Sequence, residues 1–288
     1  MRDGNHCAAT EPRLKDLRGL SAAPLPGQAL VVVAPQRLLS TAVIPREEGH
    51  APERSLLPAG LQRVEAGQLW SEERHCCPLG LLGGMHRRGA AFLVRQHGQL
   101  HGELLGPAQR LGTTRRGPVY AQAMQGRDPA TGETLRLRRL TIELKVATRD
   151  GDTALHILSN VPPERGAAAH LARVYGKRWS IETAFLEITT TLACEINTLG
   201  YPKAAIFGFC LALVAYNMLA VVLAALRSVH GAETVAQEVS SYYIAHEIAE
   251  TSRGMMIALP EDAWRVFRTM SAAAMGATLL ELARKAPR

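Results

Sequence analysis

The spacing of apolar residues changes twice along the chain, and these changes constrain the fold more than any other feature of the sequence. Up to about residue 116, short β-branched runs such as ALVVV (residues 29–33) alternate with stretches at helical spacing. From Gly117 to about residue 162 the pattern is β only, and a tight RDGD turn separates two strands. Helical spacing then continues to the C-terminus. We therefore predict an α/β fold with an α/β front at 1–116, a β-rich section at 117–162 and a helical part at 163–288.

One stretch of the chain is apolar over a length that could cross a membrane. No charge occurs between Lys203 and Arg227, and the 23 residues 204–226 match the span of a bilayer. However, seven of these residues are Ala, a Gly, a Tyr and an Asn interrupt the run, and no second span accompanies it. A helix inside the core of a large soluble protein has the same composition. We expect such a buried helix, and no membrane partner.

The basic charge consists mostly of arginine. The formal net charge is +7, and 28 of the 33 basic residues are Arg. The planar guanidinium suits phosphate oxygens, but a high-GC coding sequence produces the same bias, and both explanations stay open. Residues 74–116 contain seven Arg and one Glu. This segment is typical either of a phosphate-contacting surface or of a solvated loop region.

The cysteines indicate a reducing compartment. Their number, five, is odd, and the first ten residues lack the apolar run of a secretory signal, so we expect a cytoplasmic protein. Cys76 and Cys77 follow His75, which invites a metal site. No second pair of ligands lies at zinc-binding spacing, so we predict structural thiols instead.

Three side chains near the start of the helical part have chemistry in common with phosphate and metal sites. Tyr175, Arg178 and Glu182 lie at spacings of three and seven, which would place them on one face of a helix. A phenol, a guanidinium and a carboxylate on one face can hold a phosphate and a metal ion together. From spacing alone, a solvated face with a local Arg–Glu pair is the alternative.

Several segments together resemble the DDE transposases of bacterial insertion sequences, in the branch called the insertion-sequence-4 family. The third-carboxylate signature of that family is Tyr, two residues, Arg, three residues, Glu, six residues, Lys. YGKRWSIE (175–182) matches its first three members, whereas Thr189 stands where Lys is expected. DGNH (3–6), LWSEERHCC (69–77), RGAAFLVRQH (88–97), TRDGD (148–152), SNVP (159–162), EINTLGYPKAAIFGF (195–209) and ALVAYN (212–217) are also similar to family segments, in the family's order. The resemblance covers nearly the whole chain.

This resemblance implies a ribonuclease H-like core with a β-rich insertion and a helical C-terminal part. Three carboxylates, Asp3, Glu73 and Glu182, would bind two Mg²⁺ or Mn²⁺ ions, while Tyr175, Arg178 and Arg74 would contact DNA. The partners would be double-stranded DNA, as transposon ends and as target, and a homodimer stays open. The location would be the bacterial cytoplasm, at the nucleoid. Within the insertion, Arg136, Arg138 and Arg139 would face DNA or solvent.

Two departures from the family pattern lead us to expect a weak or inactive metal site. Glu73 stands where the family has Asp, and its extra methylene moves the oxygens by about 1.5 Å, enough to reduce the rate strongly. Only two residues precede Asp3, so the first strand would be short, as in a truncated gene or one with a misplaced start codon. Asp150 and Asp152 are nearby acids that we assign to the RDGD turn. A non-catalytic DNA-binding remnant is the alternative function.

Overall fold

The computed structural model describes residues 2–6, 28–34, 39–47, 52–100, 102–128, 131–148, 151–179 and 202–286. Two compact units divide them: the first holds the described residues up to 206 except 39–40, and the second holds residues 39–40 and 207–286. Between them, the two units contain both sheet and helix, so the α/β expectation is confirmed.

The described strands form one mixed sheet of nine strands, in the order β3-β2-β1-β4-β5-β9-β8-β7-β6. The first five strands are β1 (Arg2–His6), β2 (Gln28–Ala34), β3 (Leu39–Arg46), β4 (Leu69–Glu72) and β5 (Ala91–Arg95). Strand β1 is antiparallel to β2 and parallel to β4, and β4 is parallel to β5. Parallel neighbours need a crossover, and the one between β4 and β5 contains a helix, α2 (Leu79–Arg87). The helix α1 (Leu57–Leu61) precedes β4.

The other four strands form an antiparallel meander that extends the sheet from β5. They are β6 (Glu103–Thr114), β7 (Gly117–Arg127), β8 (Thr134–Glu143) and β9 (Ala154–Ser159). The β-only section thus begins at Glu103, earlier than the sequence pattern indicates. Strand β6 contains Pro107 and two glycines, and its register with β7 shifts twice, which is typical of an irregular edge strand.

Side-chain alternation places a separate hydrophobic cluster on each face of the sheet. One cluster packs α1 and α2 against Trp70, Phe92 and Val94. The other packs α3 (Ala168–Gly176) against Leu93 and the inward residues of β7, β8 and β9. The central strand β5 is therefore covered on both faces, as expected for a strand whose residues 92–94 are all fully buried.

The second unit is helical in the part of the chain that the structure describes after Phe207. The helices are α4 (Pro202–His230), which begins in the first unit, α5 (Ala232–Glu238), α6 (Ser241–Ala258), α7 (Arg265–Thr269) and α8 (Ala272–Lys285). Leu219 and Leu223 of α4 pack with Val235 of α5 and with the start of α6. The amide of Asn217 binds both the N–H and the carbonyl of Ser40, at 2.8 Å each.

The helix expected at 204–226 is present, but the expectation that it is buried holds for only one of its faces. Its buried stripe contains Ala205, Phe209, Ala212, Leu213, Tyr216, Leu219, Ala220 and Leu223. Phe207, Leu211, Val214, Met218 and Val221 on the opposite face are exposed. Among the described residues, Lys203–His230 is the one helix long and apolar enough for a membrane span, with 44% of its apolar window buried. The helix is apolar all round, yet neighbouring elements cover one face only.

Candidate active site

The carboxylate of Glu73 lies immediately beyond the end of β4, and strand alternation determines which face it occupies. Trp70 and Glu72 share one face of β4, and Glu72 is fully buried there, whereas Ser71 lies on the opposite face. Glu73 continues the chain in an extended conformation, with φ −80° and ψ 168°. Its Oε2 accepts a hydrogen bond from the backbone N–H of Arg74 at 2.9 Å. This bond caps the 3₁₀ turn Arg74–Cys76 and fixes the carboxylate at the sheet edge.

The guanidinium of Arg95, at the end of β5, lies next to this carboxylate. Strands β4 and β5 are parallel and in register, with Glu72 opposite Val94, so their C-terminal ends meet at one edge of the sheet. Arg95 Nη1 donates to Glu73 Oε1 at 3.3 Å. Arg95 Nη2 donates to Asp152 Oδ2 at 2.6 Å, a short charge-assisted bond. One guanidinium therefore joins two carboxylates that are far apart in sequence.

The turn before β9 holds Asp152 in place. Its backbone N–H donates to the Thr148 hydroxyl at 3.0 Å, and its carbonyl accepts from the Thr148 N–H at 2.9 Å. Asp152 does belong to a turn, as the RDGD pattern predicts, but its carboxylate also belongs to the site. Asp150 lies outside the described residues.

Tyr175 and Arg178 reach Glu73 from α3 and the turn that follows it. Arg178 Nη2 lies 3.8 Å from Glu73 Oε1, and both Tyr175 and Arg178 are 4% exposed. A continuous helix through these residues is wrong: α3 ends at Gly176, and Lys177–Trp179 form a 3₁₀ turn. Glycine is a poor helix residue, which favours an end there. Tyr175 and Arg178 nevertheless lie side by side, because a hydrogen bond joins their side chains.

The surroundings of Tyr175 keep its phenol neutral. Burial raises the pKa of Tyr175 far above its usual value of 10.0, and the nearby Glu73 carboxylate raises it further. The charges of Arg178 and Arg95 and a hydrogen bond with Arg178 act in the opposite direction and are outweighed. At neutral pH the phenol of Tyr175 therefore keeps its proton.

Of the other two predicted carboxylates, Asp3 is described only in its backbone, and Glu182 lies outside the described residues. Asp3 lies in β1, directly after Arg2, and Arg2 pairs with Glu72 of the parallel strand β4. The backbone positions of Asp3 and Glu73 are therefore adjacent across two neighbouring strands. Glu182 and Thr189 lie outside the described residues.

The remaining arginines from the sequence analysis differ in their surroundings. Arg74 is half-buried beside Glu73, and Arg136 is exposed on β8. Arg138 is half-buried, and its Nη1 donates to the carbonyls of Val161 and Gly166, at 3.0 and 2.9 Å. Arg139 lies beside the His156 ring. Arg138 thus connects β8 to the segment before α3, and its contact with DNA stays a prediction.

The carboxylate oxygens at this edge are of the chemical type that binds divalent cations. Carboxylate oxygens are the ligands that Mg²⁺ and Mn²⁺ prefer, and the Glu73 side chain is 21% exposed and so within reach of solvent. Among the residues whose side chains are described, no three metal-binding groups lie together. Cys76 and Cys77 are buried thiols, and burial raises the pKa of the Cys77 thiol, as expected for a structural cysteine.

Sequence reasoning missed Arg95 and Asp152 as members of this site. The signal for Arg95 was present, because AFLVR and LWSE are consecutive strands with a helix between them, and the ends of such parallel strands lie at the same edge. No comparable signal existed for Asp152, since its place depends on the pairing of β9 with β5.

Comparison with known proteins gives no family for this constellation of residues. No protein-family model matches the chain, and no curated protein matches it.

Proposed function

We propose that the chain is the catalytic domain of a DDE transposase of the insertion-sequence-4 type, with a ribonuclease H-like core. It would bind the double-stranded DNA of transposon ends and cut and rejoin phosphodiester bonds. The observation that carries this proposal is the ion pair between Glu73, from LWSEER, and Arg178, from YGKRWSIE, whose Tyr175 is hydrogen-bonded to Arg178. About a hundred residues separate these two segments, so their contact comes from the fold and not from proximity in sequence.

The arrangement of the strands supports the same proposal. The order β3-β2-β1-β4-β5, with β1 antiparallel to β2 and parallel to β4, brings the start of β1 beside the end of β4. Asp3 and Glu73 stand at these two positions, so their backbones are neighbours across the two strands. The proposed third ligand, Glu182, follows Arg178 by four residues.

In this proposal Asp3, Glu73 and Glu182 hold two Mg²⁺ or Mn²⁺ ions. When bound, such ions activate the attacking hydroxyl, stabilise the leaving oxygen and neutralise phosphate charge. The chain's own residues do the positioning: the Arg74 N–H and Arg178 fix the Glu73 carboxylate, and the neutral Tyr175 phenol borders it. Because Tyr175 and Arg178 are buried, contact with a DNA phosphate would require this edge to open.

A second candidate function is non-catalytic DNA binding by a transposase remnant. The observation that favours it is the engagement of both Glu73 oxygens: Oε2 with the Arg74 N–H, and Oε1 with Arg95 and Arg178. Donors already satisfy this carboxylate without a metal. The Glu at a position where the family has Asp points the same way.

Nicking of supercoiled plasmid and of labelled DNA from the flanks of the coding region, with Mg²⁺ or Mn²⁺, tests the proposal. We expect weak, metal-dependent nicking by the unmodified chain and none by Glu182→Gln, because the amide keeps the shape but loses the charge. Glu143→Gln, at an exposed position of β8, is the matched control and should nick like the unmodified chain. Cleavage that survives Glu182→Gln removes the DDE assignment, and DNA binding without any nicking selects the second candidate.

A further inference from the structure

The positively charged guanidinium of Arg95 lies next to the Glu73 carboxylate, where a bound metal ion would lie. This guanidinium lies between two carboxylates, 3.3 Å from Glu73 Oε1 and 2.6 Å from Asp152 Oδ2. The contact with Asp152 has the length of a strong charge-assisted bond, and the contact with Glu73 is longer than an ordinary one. Arg95 is therefore held mainly by Asp152, and its bond to Glu73 is the easier one to break.

The surrounding fold fixes Arg95 and Asp152 in this geometry. Arg95 is the last residue of β5, follows three fully buried residues and pairs in register with Ile157 of β9. The next residue, Gln96, donates its backbone N–H to the His156 carbonyl. Asp152 is held by its two hydrogen bonds with Thr148. The cation is thus preorganised, and its side chain is only 17% exposed.

A divalent cation and this guanidinium would need the same oxygen. Like charges a few ångströms apart repel each other, and the repulsion is stronger near the protein than in bulk water. A metal ion at Glu73 Oε1 would therefore have to break the 3.3 Å contact with Arg95, and it would also be repelled by Arg178, whose Nη2 lies 3.8 Å from the same oxygen. Asp152 offers the released guanidinium a partner that it already binds.

We infer that Arg95 is the displaceable counter-ion of Glu73, beside the buried Arg178, and that a divalent cation binds this carboxylate by displacing Arg95 onto Asp152. Arg95 and Asp152 are then positioning residues, which set the metal affinity without being ligands. The inference rests on the proposed function for the assignment of Glu73 as a metal ligand. It also explains the weak metal site expected from the sequence, because Arg95 competes with the metal ion for Glu73.

Mn²⁺ titration of the full chain, followed by the electron paramagnetic resonance signal of free Mn²⁺, tests the inference without any activity assay. Arg95→Gln should bind Mn²⁺ on the order of tenfold more tightly, because the competing charge is gone. Asp152→Asn should bind more weakly, since it leaves Arg95 with Glu73 alone. Arg95→Lys keeps the charge and should stay near the unmodified chain. Arg136→Gln removes an exposed charge on β8 and is the control.

The opposite signs separate this mechanism from a purely structural role, in which loss of either partner of one ion pair changes affinity in the same direction. Equal or weaker binding by Arg95→Gln overturns the inference, and so does absence of Mn²⁺ binding in every variant. Asp152→Asn, in a partly exposed turn, keeps the test decisive if Arg95→Gln fails to fold. Tighter binding by Arg95→Gln without DNA nicking would contradict the proposed function alone. Nicking that depends on Glu182, with Mn²⁺ affinity independent of Arg95, would contradict the inference alone.

Discussion

At the scale of single residues, the neighbouring carboxylates Glu72 and Glu73 have different environments because strand alternation sends them to opposite faces. Glu72 is fully buried on the face of Trp70, whereas Glu73 lies beside Arg95 and Arg178. The resemblance of LWSEER to a transposase segment selects Glu73 from the sequence, and the alternation of β4 independently places Glu73 on the face opposite Glu72. Its guanidinium neighbours depend on long-range strand pairing, so the sequence alone did not predict them.

The buried phenol of Tyr175 predicts a loss of stability at high pH. Its folded-state pKa lies well above 10.0, so above pH 10 the unfolded chain releases a proton that the folded chain retains. The free energy of unfolding should therefore fall as pH rises through this range, by at most about 1.4 kcal/mol per pH unit for one proton. Thermal unfolding between pH 9 and 11 should show a shallower decline for Tyr175→Phe than for the unmodified chain. Tyr243→Phe, at an exposed position, is the control; equal declines in all three proteins would contradict the prediction.

At the scale of elements, the regular segments followed from the sequence and the irregular ones did not. The run ALVVV predicts a strand, found as β2, and the apolar stretch at 204–226 predicts a helix, found as α4. Edge strand β6 was missed because its proline and glycines resemble a loop. The end of α3 at Gly176 was missed because the apolar spacing continues past it. Local pattern detects an element, whereas packing decides its bounds and its covered face.

Replacing a leucine by aspartate should have a large effect on the buried face of α4 and a small effect on its exposed face. Leu213 is 4% exposed and Leu211 is 53% exposed, although they are two residues apart. Leu213→Asp would bury an unpaired carboxylate and should cause insolubility or unfolding. Leu211→Asp should change the free energy of unfolding by no more than about 0.5 kcal/mol. The soluble fraction after expression and urea unfolding measure both. Equal damage would mean that the outer face is also covered, and equal tolerance would mean that the inner face is not packed.

At the scale of the whole molecule, the arginine-rich composition is the feature relevant to a polyanionic partner. The formal net charge is +7, but not all arginines contribute to a binding surface. Arg95, Arg138 and Arg178 form hydrogen bonds or ion pairs within the first unit. Exposed arginines such as Arg110, on β6, and Arg115, in the turn after β6, are available for surface contacts. Composition alone could not separate these two groups, since both consist of the same residue in the same segments.

DNA affinity should therefore be mainly electrostatic and should depend on where the charge lies. We expect similar dissociation constants for unrelated duplexes and a steep loss of binding as salt rises, because phosphate contacts release counterions. Arg110→Gln with Arg115→Gln should weaken binding and lower the salt slope by about two. Arg265→Gln with Arg268→Gln is the matched control, since it removes the same two charges from arginines paired with Asp262 and Glu261. Fluorescence anisotropy at several salt concentrations measures all three proteins. Equal slopes for both double variants would show that net charge alone determines the affinity, and a strong preference for one duplex at high salt would contradict the electrostatic account.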